Sequence, residues 1–236
     1  MCSNVSILKR VSQNTSNGRS SFRYCIQLVD ESSFDDAVKF MVQHFVLKEK
    51  ISLALGTHLD EAAIQDWESL YREVLSEGLS LAAFLEDDVG NRRSMIGCNI
   101  LFKKEREKAR KTQVSDLSEK PRRHIQMIRN VTSKADVHTL YDCSSFIAGC
   151  GLAVAEEYAR RGIAIELLRA REELCKQICI PVSATVFTSE SSQILAEKVG
   201  YTTIADLNLE ADLDNSDTAV TGDGKLIIKW MAIKYF

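Results

Sequence analysis

Apolar positions recur along this chain with two periods, one suited to strands and one to helices. Residues 22–30, FRYCIQLVD, are dense in strand formers and end in an acidic, serine-containing turn able to cap a helix. The segment SFDDAVKFMVQHFVLKEKISLALG then sets Phe34, Val38, Met41, Val42 and Phe45 at helical spacing, with Asp35 and Asp36 in the first turn. This helix loosens around Lys48 to Lys50. In THLDEAAIQDWESLYREVLSEG, Trp67, Leu70, Tyr71, Val74 and Leu75 share one side and Gly78 ends a second helix. SLAAFLED and SMIGCNILFKK, joined by DDVGNRR, read as a hairpin. Residues 124–142 read as helix. Then come an apolar strand, a long helix, the strand PVSATVFTS, the short helix SSQILAEKVG and two strands, TTIADLNL and GKLIIKWMAIKYF. The last is apolar on both faces, a pattern for the interior of a sheet.

Strands and helices alternate without a Pro/Gly-rich linker or a repeat, so the reading is α/β: one mixed domain over residues 21–236, after a flexible tail of residues 1–20. The length and the 45% hydrophobic composition suffice for a sizeable core. A net charge of -3 does not draw the surface to nucleic acid or an anionic membrane. The basic segment KKEREKARKTQVSDLSEKPRR has no interleaved aromatics for base stacking and reads as a solvated loop or helix end. The seven cysteines, among them Cys98, Cys150 and Cys179 in apolar runs, read as buried thiols of a reducing compartment. No histidine stands at zinc-ligand spacing from a cysteine, and the acids Glu210, Asp212, Asp214 and Asp217 lack the glycine and glutamate of a calcium loop; no metal is expected. Without a signal core or a membrane-length apolar run, the expectation is a cytoplasmic monomer acting on a small partner.

The candidate chemistry lies in GLAVAEEYARRGIAIELL, residues 151–168, where a strand passes into a helix. A helix N-terminus offers unpaired amides and a positive partial charge, and Gly162 and Ala164 allow an anion close to the backbone. Each amide to a charged oxygen contributes on the order of 1.5 to 3 kcal/mol. A phosphate loop would need Lys and a hydroxyl after the glycine, and a dinucleotide fingerprint a third glycine where Leu167 stands. Neither fits.

The same residues resemble the acetyl-CoA motif of the GNAT superfamily of N-acyltransferases. Val154, Tyr158, Gly162 and Ala164 fall on its pattern, while Ala159 replaces the leading Gln or Arg. VFTSESSQILAEKVGYTTIADL resembles the family's next strand and helix, ending in Lys198, Gly200 and Tyr201. VQHFVLKEKISLALG is similar to the first-helix signature of the insect arylalkylamine N-acetyltransferase-like branch, with Lys48 and Lys50 in place of its acid and proline and Glu49 in place of its glutamate. The resemblance implies a mixed, mostly antiparallel sheet of about seven strands flanked by helices. It implies acetyl-CoA held by Leu152, Ala153, Val154, Ala159, Arg160, Arg161, Gly162, Ile163, Ala164 and Ser192, with no metal.

For the reaction, the resemblance implies direct acyl transfer to a small primary amine such as an arylalkylamine. An alkylammonium must first lose a proton, at a cost of about 4.6 kcal/mol at neutral pH. Glu49 is the implied base. Its flanking lysines would lower its pKa and repel a cationic substrate. The Val154 amide is the implied oxyanion donor. The tyrosine acid of many members is absent, since Ala196 stands there; Thr188 and Ser192 match the insect branch's hydroxyl relay instead. N-capping is the ordinary reading of Ser192, helix packing that of His44, and buried thiols that of Cys143 and Cys150. Two alternatives stay open: a catalytically weak acyl-CoA-binding protein, and an N-acyltransferase acting on peptide amines.

Overall fold

Alternation along the strands sends apolar side chains to both faces, and in the computed structural model, which describes residues 7–13, 22–106, 114–209 and 226–236, helices cover both. The strands are β1 Ile7–Gln13, β2 Phe22–Leu28, β3 Leu81–Glu86, β4 Arg92–Glu105, β5 Ser145–Val154, β6 Val182–Phe187, β7 Thr202–Asn208 and β8 Ile227–Lys234. They form one sheet in the order β1-β2-β3-β4-β5-β6-β8-β7. Only β5 and β6 pair in parallel; the other pairs are antiparallel. The strand apolar on both faces, β8, is interior, as its pattern required.

The helices are α1 Phe34–Met41, α2 Lys50–Ala54, α3 Glu61–Leu75, α4 Glu119–Thr132, α5 Val137–Leu140, α6 Ile163–Gln177 and α7 Glu190–Lys198. Cys25, Ala82, Phe84, Cys98 and Ile100 face α1 and α3, whereas Tyr24, Ile26, Leu81, Ala83, Ile96 and Leu101 face α6. Met127 and Val131 of α4 pack with Val182, Ile228 and Trp230.

Three expectations change. Residues 7–13 are not tail but an edge strand on β2, the addition that brings the sheet to eight. Leu8 and Val11 pack against the core there, and Arg10 pairs with Glu86, contacts that a short polar stretch does not advertise in sequence. The helix read over 124–142 starts at Glu119, stops at Thr132 and resumes at Val137, where Asp136 caps the new turn through the His138 amide. Cys179, which follows α6 with φ 55°, is exposed, and Cys150 on β5 is half-buried. Burial pushes the Cys98 and Cys175 thiols up to about 12. The acidic segment from Glu210 to Asp217 and residues 107–113 of the basic segment lie outside the described residues.

Candidate active site

β5 and β6 pair only through Ile147 with Ser183 and Ala148 with Ala184, and beyond these positions they part. On its other side β5 stays on β4 but bulges: Asn99 opposes Leu152 and Leu101 opposes Gly149, so Cys150 and Gly151 share one partner position. Gly151, at φ 121°, is needed there, since a Cβ would lie 2.8 Å from Met41 Cε and 3.2 Å from the Phe45 ring. Met41 ends α1, and Phe45 lies in the π-helical turn Val42–Val46 that follows.

The base of the wedge is filled by Arg171 of α6, which is only 1% exposed. Its Nε donates to Asn99 Oδ1 at 2.8 Å and its Nη1 to Thr185 Oγ1 at 2.7 Å and Tyr201 OH at 3.2 Å. Asn99 Nδ2 in turn donates to the Gly151 carbonyl at 2.9 Å, which fixes the bulge. Gly149 makes room for this network: a Cβ would come within 2.6 Å of Thr185 Oγ1 and 2.8 Å of Arg171 Nη2.

The Ala155 amide donates to the Ile96 carbonyl at 3.0 Å. Alternation in an antiparallel ladder then turns the amides of Val154 and Leu152 the opposite way, toward the side that β6 has left. A turn at Glu156–Tyr158 leads to Arg160 at φ 59° and Gly162 at φ 74°, after which α6 begins. The first helical bond runs from the Glu166 amide to the Gly162 carbonyl, so the amides of Ile163, Ala164 and Ile165 stand at the helix mouth without an intrahelical acceptor. Ile163 is buried and anchors the turn, while Ala159, Arg160 and Gly162 are exposed. The two arginines differ: Arg161 lies over the rings of Phe22 and Tyr158, at 5.1 and 5.5 Å. Burial works against charge on Glu166, yet hydrogen bonds from Lys9 and Arg169 hold its carboxyl below the usual range.

Glu49 is buried, at 7% exposure. It caps α2, Oε2 accepting from the Ser52 amide at 2.8 Å, with His124 Nδ1 of α4 at 3.8 Å. Its Oε1 is buried without a hydrogen-bond partner, as are Trp67 Nε1 and Tyr71 OH of α3. Burial, with Cys150 and Glu49 adding to it, pushes the Tyr71 phenol well above its ordinary value. The lysines flanking Glu49 in sequence do not share its pocket: Lys48 pairs with Glu156 at 2.6 Å, and Lys50 is exposed. His44 is half-buried, and burial, aided by Lys48, lowers its pKa.

Thr188 follows β6 and is half-buried. The residue capping α7 is Ser189, not Ser192; Ser192 sits at the third helical position in a capping box, its hydroxyl 2.7 Å from the Ser189 carbonyl oxygen that accepts from it. Among the described residues no hydrogen bond or ion pair joins Glu49 to Thr188 or Ser192. Asn99, His124 and Arg171 escaped the reading of the sequence. Gly149 and Gly151 inside a strand were the available signal for the bulge.

Among the described residues no group of three or more His, Cys, Asp or Glu side chains is placed to hold a metal, and no helix is long and apolar enough to cross a membrane. No protein-family model and no curated protein sequence matches the chain. Solved structures do. A protein of the yellow fever mosquito Aedes aegypti assigned as arylalkylamine N-acetyltransferase 7 superposes with a TM-score of 0.86 at 26% identity, over 99% of this chain and 97% of that one. Arylalkylamine N-acetyltransferase 2 of Aedes aegypti gives 0.76 at 16% identity, over 90% and 99%. The Drosophila melanogaster polyamine N-acetyltransferase that forms N-acetylagmatine gives 0.72 at 14%, over 89% and 99%. With its splayed strands, bulge and Gly162 turn, the chain has the fold of the N-acetyltransferases of the GNAT superfamily, and it resembles the insect arylalkylamine N-acetyltransferase branch.

Proposed function

We propose that the protein transfers an acetyl or short acyl group from acetyl-CoA directly to a small primary amine, an arylalkylamine or a related biogenic amine. The observation that carries this reading is the opening of β5 away from β6, with outward amides along β5 and a helix mouth at its end. These suit a cofactor with a linear amide-bearing arm and a diphosphate. Leu152, Ala153 and Val154 would line the arm, and the segment from Ala159 to Ala164 would hold the diphosphate through the Ile163 and Ala164 amides, with exposed Arg160 better disposed than Arg161 to add charge. Bound acetyl-CoA supplies the activated thioester; the Val154 amide would donate to the developing oxyanion.

Glu49 would take the ammonium proton. Its unpaired Oε1, buried near Trp67 and Tyr71, supports this role, since an orphaned buried carboxylate oxygen is costly unless a ligand meets it. Thr188 and Ser192 would serve the departing thiolate, and Ser192 does so in addition to stabilising α7. Thiol release from acetyl-CoA across an amine panel tests the reading. In Glu49→Gln, turnover should fall by ~100-fold or more with acetyl-CoA binding retained; unchanged turnover would remove Glu49 as the base. Saturable acetyl-CoA binding without thiol release for any amine would instead favour a binding protein.

A further inference from the structure

We propose that His124 acts through Glu49 as its proton partner: Glu49 takes a proton from the acceptor ammonium and passes it to His124 Nδ1, which restores the carboxylate for the proton lost as the amide forms. The inference rests on Glu49 being the base. The C–N bond forms and the C–S bond breaks with its electron pair leaving on sulfur. Of the two protons released by nitrogen, one ends on the coenzyme A thiolate and the other leaves through His124.

Four observations converge on the pair. His124 Nδ1 stands 3.8 Å from Glu49 Oε2, a distance that a small shift on substrate binding closes. Both residues are buried, at 6% and 7% exposure. Nδ1 of the imidazole and Oε1 of the carboxylate have no hydrogen-bond partner in the protein. Finally, the imidazole and the Trp67 ring pack edge to face with centroids 5.0 Å apart, a contact that restrains the imidazole.

Burial favours the neutral imidazole, the form able to accept a proton, and the Glu49 charge opposes that effect. Three charged groups around α4 are engaged elsewhere. Asp66 of α3 accepts from the Ser118 amide, Lys120 donates to the Gly56 carbonyl and pairs with Asp60, and Lys134 donates to the Asp206 carbonyl of β7. Toward β6 and β8 the helix presents Met127 and Val131, packed on Val182, Ile228 and Trp230.

The test uses the full chain with acetyl-CoA and the fastest amine of a panel of tyramine, tryptamine, agmatine and spermidine. In His124→Gln, kcat should fall by ~100-fold while the KM for acetyl-CoA changes by less than about twofold. The acid limb of kcat/KM should move to lower pH, because only a carboxylate remains to titrate. An NMR titration adds a readout independent of turnover: the His124 imidazole should titrate at lower pH in Glu49→Gln than in the wild type. Wild-type turnover with an unmoved acid limb in His124→Gln, or an unchanged imidazole titration in Glu49→Gln, overturns the pairing. If Glu49→Gln itself retains full turnover, the base assignment fails; if it is inactive while His124→Gln is not, only the relay fails. Should His124→Gln fold poorly, His124→Asn and the imidazole titration decide the same question.

Discussion

Gly162 shows how one residue can set a site. At φ 74° it lets the chain enter α6 with three amides at the helix mouth that have no intrahelical acceptor, and it carries no side chain to stand in front of them. In Gly162→Val, the left-handed backbone should cost about 1 to 2 kcal/mol, lowering the melting temperature by roughly 2 to 8 °C. The same variant should raise the KM for acetyl-CoA by about tenfold or more, one amide contact to a charged oxygen being lost; an unchanged KM would place the diphosphate elsewhere. This residue was legible in the sequence because a glycine at a strand-to-helix joint has few uses. Glu49 was legible only through resemblance. Between two lysines it reads as a solvated side chain, and only the N-cap conformation, φ -70° and ψ 140°, turns it inward while Lys48 reaches Glu156.

At the scale of elements, the wedge between β5 and β6 depends on a helix residue. Arg171 lies on the face that Ile163, Leu167 and Leu174 bury, so helical period alone placed it inside, though its charge argued otherwise. It ties α6 to β4, β6 and Tyr201. Arg171→Met should destabilise the fold by about 2 to 4 kcal/mol in denaturant titrations, since Asn99, Thr185 and Tyr201 would each lose a buried partner. A neutral result would mean that water replaces the guanidinium. A second tie joins the end of β2 to β4. Burial works against charge on Asp30, but hydrogen bonds from Ser32, Arg92 and Ser33 hold its carboxyl below the ordinary value. A carboxyl depressed in the folded state stabilises it above the unfolded pKa and loses that contribution as pH falls through the folded value. Wild type should therefore be more stable than Asp30→Asn at neutral pH, and the gap should close below about pH 4; a gap constant from pH 7 to 3 would show that the charge is irrelevant.

Across the whole molecule, the proposed cleft lies where β5 and β6 part, so a ligand seated there would bridge β5, β6 and α6. Acetyl-CoA at about 100 times its Kd should add about 2.7 kcal/mol of stability, seen as a rise of roughly 5 to 11 °C in melting temperature. Free coenzyme A should give most of that rise, and dephospho fragments lacking the diphosphate little; the reverse order would contradict the Gly162 site. The sheet follows from strands apolar on both sides, and the interior place of β8 from its lack of a polar face. The edge strand β1 lay beyond such reading, because its hold comes from β2 and from ion pairs with Glu86 and Glu166, residues distant in sequence.

Local pattern by itself determined the alternation of elements and the glycine turn before α6, because period, φ preference and helix-end amides are properties of neighbouring residues. What the tertiary structure decided is which groups meet in the dark: Glu49 with His124, Arg171 with Asn99 and Thr185, Gly151 with Met41 and Phe45. Those pairings arise from desolvation and packing between elements far apart along the chain, and no stretch of sequence encodes them alone.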